Sequence, residues 1–256
     1  MAIDVKVMDE TIAVITLARP RERNAIDRET TRKLEEAIRL VEDSPAIRVA
    51  IITGEGDVSF CAGADLNAVA AGELDLLFTP DGGFAAFTHA DRAKPWIAAV
   101  NGFALAGGCE IALSCDIVIA VENAKFGLPE VKRGLIASAG GLYRLPRALP
   151  RSLAFEMIAT GDPIDAAKAA HYGLVSQVVP ADQLMPAAMA MARRICVNSP
   201  LAVSKSLQMA RLALDLDSSA LYTMGNDLQR ELQLTEDYRE GSRAFLEKRP
   251  PAWRGR

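Results

Sequence analysis

The chain has 256 residues, of which 50% are hydrophobic and 24% are charged, with 18 glycines and 13 prolines. This composition excludes an intrinsically disordered, collagen-like or low-complexity protein. The formal net charge is −4, so no overall basic field favours binding to nucleic acid. The first residues, MAIDVKVMDE, lack the positive and then apolar pattern of a signal peptide. We therefore expect a soluble, globular protein of the cytoplasm.

Histidine and cysteine are too few and too scattered for a metal centre. The two histidines, His89 and His171, form no HExxH motif, which disfavours a zinc peptidase and most mechanisms that depend on histidine. The four cysteines, at positions 61, 109, 115 and 196, form no CxxC pair. Free, buried thiols are expected for such cysteines in an intracellular chain.

The first hundred residues alternate between strand and helix patterns. The predicted elements are a hairpin over residues 3–7 and 11–17, a helix from the N-cap Asp27 to Ser44-Pro45, and a buried strand over residues 49–53. This alternation predicts an α/β fold with at least partly parallel strands.

Residues 95–121 form the most apolar segment and are long enough to span a bilayer. Asn101-Gly102, Gly107-Gly108, Glu110 and Asp116 interrupt the segment. We therefore predict a strand, a loop, a buried helix and a second strand here, rather than a membrane span.

The pattern becomes helical from about residue 150. Helices are predicted over residues 152–160, 165–172, 182–197, 199–213 and, with breaks, 218–245, and one strand over residues 175–179. Asn198-Ser199-Pro200 punctuates this region. It predicts a boundary between a core over residues 1–197 and a C-terminal helical region over residues 198–256.

Phosphate-binding motifs are incomplete in this chain. Residues 54–59 (GEGDVS) follow a strand and resemble GxGxxG, but serine replaces the last glycine and no helical start follows. No GxxxxGK[ST] and no GxSxG is present. These observations disfavour a dinucleotide-binding domain, a P-loop NTPase and a nucleophile-elbow hydrolase.

Glu110 is the only charged residue between Lys94 and Asp116, in a segment otherwise suited to a core. Carboxylates are rarely buried without a partner because desolvating the ion is costly. Glu110 lies either on the polar edge of an amphipathic helix or in a functional site that sets its pKa.

The residues before Glu110 favour a functional site. Ala106, Gly107 and Gly108 are predicted to open the helix, where unpaired N–H groups and the positive dipole end can stabilise an oxyanion. Glu110 lies in the first turn beside them. A second carboxylate, Glu130, follows the proline that ends a predicted strand. Its position alone favours a solvated loop residue.

Several segments, in this order and spacing, resemble the enoyl-CoA hydratase/isomerase (crotonase) superfamily over nearly the whole chain. The matching segments are residues 60–66 (FCAGADL), 94–95 with 97–102 (KP and IAAVNG), 107–110 (GGCE), 126–127 with 129–130 (FG and PE), and 139–141 (AGG). The resemblance implies a spiral of ββα turns with a C-terminal α-helical region, assembled as a homotrimer or homohexamer.

The resemblance also implies the roles of particular residues. It implies backbone N–H donors at Ala62 and Gly107 that hold the thioester carbonyl of an acyl-CoA. It implies that Glu110 activates water for addition at C3 and that Glu130 handles the C2 proton. The residues implied to contact the substrate are Arg23, Asn24, Ala25, Ala62, Gly63, Ala64, Asp65 and Gly107. Coenzyme A is part of the substrate, so the resemblance implies no separate cofactor and no metal.

Both glutamates are present, which favours an enoyl-CoA hydratase, a lyase of lipid metabolism. The alternatives are a carnitinyl-CoA dehydratase, an enoyl-CoA isomerase and a non-catalytic acyl-CoA binder. The loop over residues 72–88 and the end over residues 247–256 resemble carnitinyl-CoA dehydratases, whereas Ala64 replaces the tryptophan expected in that subgroup. Ala106 and residues 136–138 (IAS) also depart from the common hydratase pattern.

Arginines are frequent near the proposed coenzyme A contacts. Between residues 19 and 33 lie Arg19, Arg21, Arg23, Arg28, Arg32 and Lys33. They form either a solvated face or a site for the phosphates of coenzyme A. The same two interpretations hold for Lys248, Arg249, Arg254 and Arg256 at the basic end of the chain.

Overall fold

A computed structural model describes residues 2–256. The strands in this range are β1 (Ile3–Met8), β2 (Ile12–Leu17), β3 (Val49–Gly54), β4 (Ser59–Cys61), β5 (Phe78–Thr79), β6 (Gly83–Phe84), β7 (Trp96–Val100), β8 (Phe103–Leu105), β9 (Ile117–Val121), β10 (Lys125–Gly127), β11 (Ile164–Asp165) and β12 (Gln177–Val179). The helices are α1 (Arg28–Asp43), α2 (Leu66–Ala70), α3 (Gly107–Leu113), α4 (Gly141–Ala148), α5 (Arg151–Thr160), α6 (Ala166–His171), α7 (Leu184–Cys196), α8 (Pro200–Arg211), α9 (Ser218–Gln233) and α10 (Glu236–Glu247). Single turns of 3-10 helix cover Pro20–Glu22, Leu74–Leu77, Pro129–Arg133 and Ala181–Gln183.

The larger sheet of the described chain has six strands in the order β1-β2-β3-β7-β9-β12. β1 and β2 are the predicted antiparallel hairpin, and all the other neighbours are parallel. β3 is buried along its whole length, as expected for a parallel strand covered on both faces. α7 packs against β3, β7 and β9. The mixed α/β class predicted from the alternation of elements is therefore confirmed.

A smaller, four-stranded sheet places the candidate site. Its order within the described residues is β11-β10-β8-β4, and β10, β8 and β4 run parallel. The carboxyl ends of parallel neighbours meet at one edge of a sheet, where open α/β sheets bind ligands. The segments that follow these three ends therefore come together although they are far apart in sequence.

The predicted helix after Asp27 is present as α1. The Asp27 side chain accepts a hydrogen bond of 2.7 Å from the N–H of Thr30, which satisfies one free donor of the first turn. Leu34, Ile38 and Val41 are buried at helical spacing. The amphipathic pattern of this segment therefore fixes both the helix and the face that it buries.

The apolar segment over residues 95–121 folds as predicted into strand, loop, buried helix and strand, here β7, α3 and β9 with the short β8 inserted. None of the helices within residues 2–256 is long and apolar enough to cross a membrane.

The C-terminal elements α8, α9 and α10 follow the predicted punctuation at residues 198–200. The chain end folds back along α10, where the carbonyl of Arg256 accepts a hydrogen bond of 2.7 Å from the N–H of Glu236. The Trp253 indole donates to the carbonyl of Val197 at 2.8 Å. The division of the chain at residue 198 stays a prediction.

Candidate active site

The first turn of α3 forms the floor of the candidate site. β8 ends at Leu105, and Ala106 then adopts φ 52° and ψ −130°, a conformation that side chains disfavour. Its N–H donates to the carbonyl of Gly127 at 3.0 Å, which ties the helix start to the end of β10. The N–H of Gly107, the first residue of α3, has no hydrogen-bond acceptor within the described chain. One backbone donor is therefore free to bind a ligand.

Two close contacts explain why glycine occupies positions 63 and 107. A Cβ at Gly107 would collide with the ring of Phe84. Gly63 has φ 91°, and a Cβ there would lie 3.0 Å from the Gly107 nitrogen. Phe84 and the loop after β4 therefore close around the free N–H, and neither position has room for a side chain.

Glu110 lies in the first turn of α3, with only 3% of its surface exposed. Its Oε1 accepts a hydrogen bond of 2.8 Å from the N–H of Gly141, the first residue of α4. Burial raises the pKa of Glu110 to about 7, and the charge of Glu130 adds to this rise. The N–H groups of Gly141 and Ala139 act in the opposite direction. Glu110 can therefore gain or lose a proton near neutral pH.

Glu130 approaches the site from the 3-10 helix Pro129–Arg133, immediately after β10. Its Oε2 is buried and has no hydrogen-bond partner in the described part of the chain. Burial raises the pKa of this carboxyl. A buried carboxyl oxygen without a partner is costly in a structural position, so it indicates a functional one.

A cavity of about 920 Å³ connects these groups. Glu110, Glu130 and Gly107 line it together with apolar side chains from several segments: Leu66, Val69, Leu74, Phe78, Phe84, Leu105, Leu135 and Ile136. Arg21, Arg23 and Arg133 also line it. The cavity therefore combines two carboxyl groups, a free backbone donor, an apolar wall and cationic side chains.

The structure brings most of the sequence-predicted site residues to this cavity. Those that line it are Arg23, Ala25, Ala62, Ala64, Asp65, Gly107, Glu110 and Glu130. Asn24 and Gly63, which were also predicted to contact the substrate, do not line it. The Asn24 side chain is buried and donates to the carbonyls of Ser59 at 2.7 Å and Glu55 at 3.0 Å. It holds the turn before α1 against the loop before β4.

Two of the lining residues already have partners in the protein. The Ala62 N–H donates to the carbonyl of Arg23 at 3.2 Å, so it can serve a ligand only by sharing or releasing this long bond. The Asp65 carboxylate forms an ion pair of 2.8 Å with Arg19. The Asp65–Arg19 ion pair therefore holds in place the loop that carries Ala62.

Sequence reasoning missed Phe84, Arg133 and most of the apolar wall. Phe84 is 23 residues from Gly107, and no periodic pattern joins them. Arg133 follows Glu130 by three residues, which is a signal that could have been used. At the chain end, Arg249 pairs with Glu240 at 2.6 Å and Arg256 with Glu236 at 3.2 Å. These two arginines are engaged away from the cavity.

The site joins a free helix N-terminus, the buried Glu110, the half-buried Glu130 and a large cavity, and comparison with known proteins gives it a context. The family model for enoyl-CoA hydratase/isomerase matches residues 8–256. The chain belongs to the enoyl-CoA hydratase/isomerase family. A carnitinyl-CoA dehydratase of Salmonella paratyphi A is 42% identical over 251 residues, which are 96% of this chain and 95% of that protein.

Solved structures of the family confirm the crotonase-type fold. An enoyl-CoA hydratase from Mycobacterium marinum is similar with a TM-score of 0.94 and 37% identity, covering 100% of this chain and 99% of that one. A carnitinyl-CoA hydratase from Mycobacterium avium is similar with a TM-score of 0.77 and 42% identity, with the same coverage. Backbone similarity is therefore higher to the first, and sequence identity is higher to the second.

No cluster of three or more histidine, cysteine, aspartate or glutamate side chains within residues 2–256 could hold a metal ion.

Proposed function

We propose that the protein is an enoyl-CoA hydratase that adds water reversibly to a 2-enoyl-CoA thioester. The observation that carries this proposal is the pair of glutamates in one cavity beside the free Gly107 N–H: Glu110, which is buried, and Glu130, whose Oε2 is buried. In hydration, ionised Glu110 takes a proton from water as the oxygen bonds to C3. Protonated Glu130 gives its proton to C2 as the double bond is lost. Both carboxyls act on the same face of the substrate.

The acid–base properties of the two groups support these roles. A general base works best when its pKa lies near the operating pH, as for Glu110 at about 7. A general acid must hold its proton, and burial raises the pKa of Glu130 in the required direction. Two carboxyls in one site also disfavour a doubly ionised state.

Stabilisation of the enolate is assigned to backbone donors. The Gly107 N–H lies at the positive end of α3 and has no competing acceptor in the described chain. The second proposed donor is the Ala62 N–H, whose long bond to Arg23 is exchanged for the thioester oxygen. A donor of this kind is worth about 10²–10³ in kcat.

Arg21, Arg23 and Arg133 supply the cationic side chains of the cavity. We assign them to the phosphates of coenzyme A, since guanidinium groups bind phosphate oxygens in a bidentate manner. The apolar wall then receives the acyl group. This arrangement leaves the thioester between the two, at the start of α3.

Carnitinyl-CoA dehydration is the second candidate. Two observations favour it: the 42% identity to proteins of that name and an aromatic pair in the cavity. The rings of Phe78 and Phe84 lie edge to face with centroids 5.4 Å apart, and aromatic faces attract quaternary ammonium groups. Ala64 stands where a tryptophan is expected in that subgroup, which favours the first candidate.

A panel of substrates tests the proposal. Crotonyl-CoA, longer 2-enoyl-CoA thioesters and crotonobetainyl-CoA are each incubated with the protein while the absorbance of the conjugated thioester is followed. We expect this absorbance to fall for the unbranched enoyl-CoA substrates, with a product that has gained one water by mass. Turnover of crotonobetainyl-CoA alone would select the second candidate. Binding without turnover of any substrate would contradict both.

A further inference from the structure

Arg144 on α4 joins the two segments that enclose the reacting groups. Its guanidinium donates to the carbonyl of Ala139 at 3.2 Å and to the carbonyl of Thr88 at 2.5 Å. Ala139 belongs to the turn before α4, whose N–H groups face Glu110. Thr88 follows the β6 hairpin strand that carries Phe84, the ring that covers Gly107. The half-buried Arg144 side chain therefore connects the turn whose N–H groups face Glu110 to the segment that carries Phe84, beside the proposed oxyanion hole.

The backbone around Arg144 is shaped to admit this side chain. Gly140 has φ 115°, and a Cβ there would overlap the Arg144 guanidinium. The next residue, Gly141, donates its N–H to Glu110. Arg144 therefore packs against Gly140, and the next residue, Gly141, forms the hydrogen bond that holds the Glu110 carboxylate.

Further hydrogen bonds join α4 to the segment after β6. The Tyr143 hydroxyl and His89 Nε2 share a hydrogen bond of 2.7 Å, and His89 Nδ1 lies 3.2 Å from the Thr88 hydroxyl. Adjacent residues of α4 thus contact adjacent residues of the segment after β6. This segment is held against α4 at both points.

We propose that Arg144 is a positioning residue, which holds Glu110 in register with Gly107 and places a cation behind the Glu110 carboxylate. Arg144 does not line the cavity, so it acts through Glu110 and not on the substrate. This inference rests on the proposed role of Glu110 as the base of an enoyl-CoA hydratase.

The electrostatic setting gives the role a measurable consequence. The charged and titratable groups that face Glu110 are Glu130, Arg144 and the neighbouring Cys109 thiol. The positive charge of Arg144 lowers the pKa of Glu110, against the effects of burial and of Glu130. Removal of Arg144 therefore moves the ionisation of the base to higher pH.

The test compares Arg144→Met and Arg144→Lys with the unaltered enzyme on crotonyl-CoA, or on the best substrate of the panel. Displacement of a catalytic group by a fraction of its reach costs up to about 10²-fold in rate. For Arg144→Met we expect kcat to fall by roughly this factor, with KM within about twofold because the binding contacts are intact. The acid limb of the pH profile for kcat should move to higher pH.

Arg144→Lys separates the effect of the positive charge from that of the hydrogen-bond geometry. It also provides a second test variant if Arg144→Met does not fold. Lysine keeps the cation but cannot bridge two carbonyls in the same way. We expect its acid limb to stay near that of the unaltered enzyme while kcat falls by about tenfold. Arg147→Met is the matched control, since Arg147 lies on the same helix and pairs with the exposed Asp215.

The outcomes are distinguishable from failure of the proposed function. If Glu110→Gln keeps full turnover in the same assay, the proposed function is wrong. If Glu110→Gln is inactive but folded Arg144 variants keep the original kcat and acid limb, the role of Arg144 is wrong. A loss of thermal stability and activity in both variants with an unmoved acid limb in Arg144→Met would also overturn it, since that is the result of a purely structural role.

Discussion

At the scale of single residues, burial of the Glu110 carboxyl lowers the stability of the fold when the carboxyl is ionised. Its pKa is raised from 4.5 to about 7 in the folded chain. Between these two values the folded state binds more protons than the unfolded state, so the free energy of unfolding falls as pH rises. The destabilisation is fully present above pH 7 and absent below the unfolded value.

The fall in the free energy of unfolding with rising pH predicts how stable the Glu110→Gln variant is. Glutamine can still accept the hydrogen bond from Gly141 but carries no buried charge. At pH 8 we expect the variant to be more stable than the unaltered protein by about 2–3 kcal/mol, and at pH 4 the difference should disappear. Urea unfolding at the two pH values measures it, with the exposed Glu156→Gln as the control. An equal stability difference at both pH values would contradict the raised pKa.

Gly107 gives a second prediction at this scale. The Cβ of Gly107→Ala would meet the Phe84 ring, so the helix start and its free N–H must shift. We expect kcat to fall by about 10²–10³. Adding Phe84→Leu makes room and should recover part of the lost activity. Ala62→Ser keeps its backbone N–H and is the mild control.

Full activity of Gly107→Ala, or no recovery in the double variant, would count against this account. The first result would place the oxyanion donor elsewhere. The second would show that the added methyl group acts on the substrate and not through Phe84.

At the scale of elements, the start of α3 is strained. Ala106 has φ 52°, where a side chain costs about 1–3 kcal/mol. Ala106→Gly relieves this strain but gives the unfolded chain more conformational entropy, so the net gain in the free energy of unfolding should be about 1 kcal/mol. We expect a higher melting temperature with kcat retained. Ala112→Gly, in the buried part of α3, is the control and should destabilise. A melting temperature for Ala106→Gly as low as that of the control would contradict the strain.

The elements with strong periodicity were the ones that the sequence could predict. The hairpin, α1, β3 and the helices after residue 150 all carry apolar spacing over five or more residues. The smaller sheet consists of strands of two or three residues, which are too short for an alternation to appear. Among them only β10 was predicted, from the proline at position 129. α4 was also missed, and Pro146 lies inside it.

At the scale of the whole molecule, the site depends on contacts that no local pattern contains. Glu110 could be singled out from sequence because a lone charge interrupts an apolar segment. The N–H of Gly141, which donates to Glu110, and the charge of Arg144, which acts on it, come close only when α3 packs against α4. Phe84 likewise meets Gly107 through the fold. The sequence therefore indicates the proposed catalytic carboxyl, whereas the contacts that hold it in place come from the tertiary structure.

The exposed apolar side chains of the C-terminal helices predict that the chain assembles into oligomers. No side chain of α8 or α9 is buried in the described chain, and Leu234, Phe245 and Leu246 are each at least 80% exposed. Exposed apolar surface of this extent indicates contact with other subunits. We expect light scattering to give a trimer or hexamer at micromolar concentration, and Phe245→Asp with Leu246→Asp to shift it toward smaller species. Leu40→Asp on α1 is the control. A stable 27.5 kDa monomer would contradict this prediction.

The most direct test of the whole account is the turnover number of Glu110→Gln and of Glu130→Gln on the best enoyl-CoA substrate. In the proposed mechanism, each substitution removes one proton transfer and leaves the thioester contacts in place. We expect each to lower kcat by about 10²-fold or more, with acyl-CoA binding preserved in a calorimetric titration. Near-normal turnover in either folded variant would remove that glutamate from the mechanism and contradict hydration by two carboxyl groups.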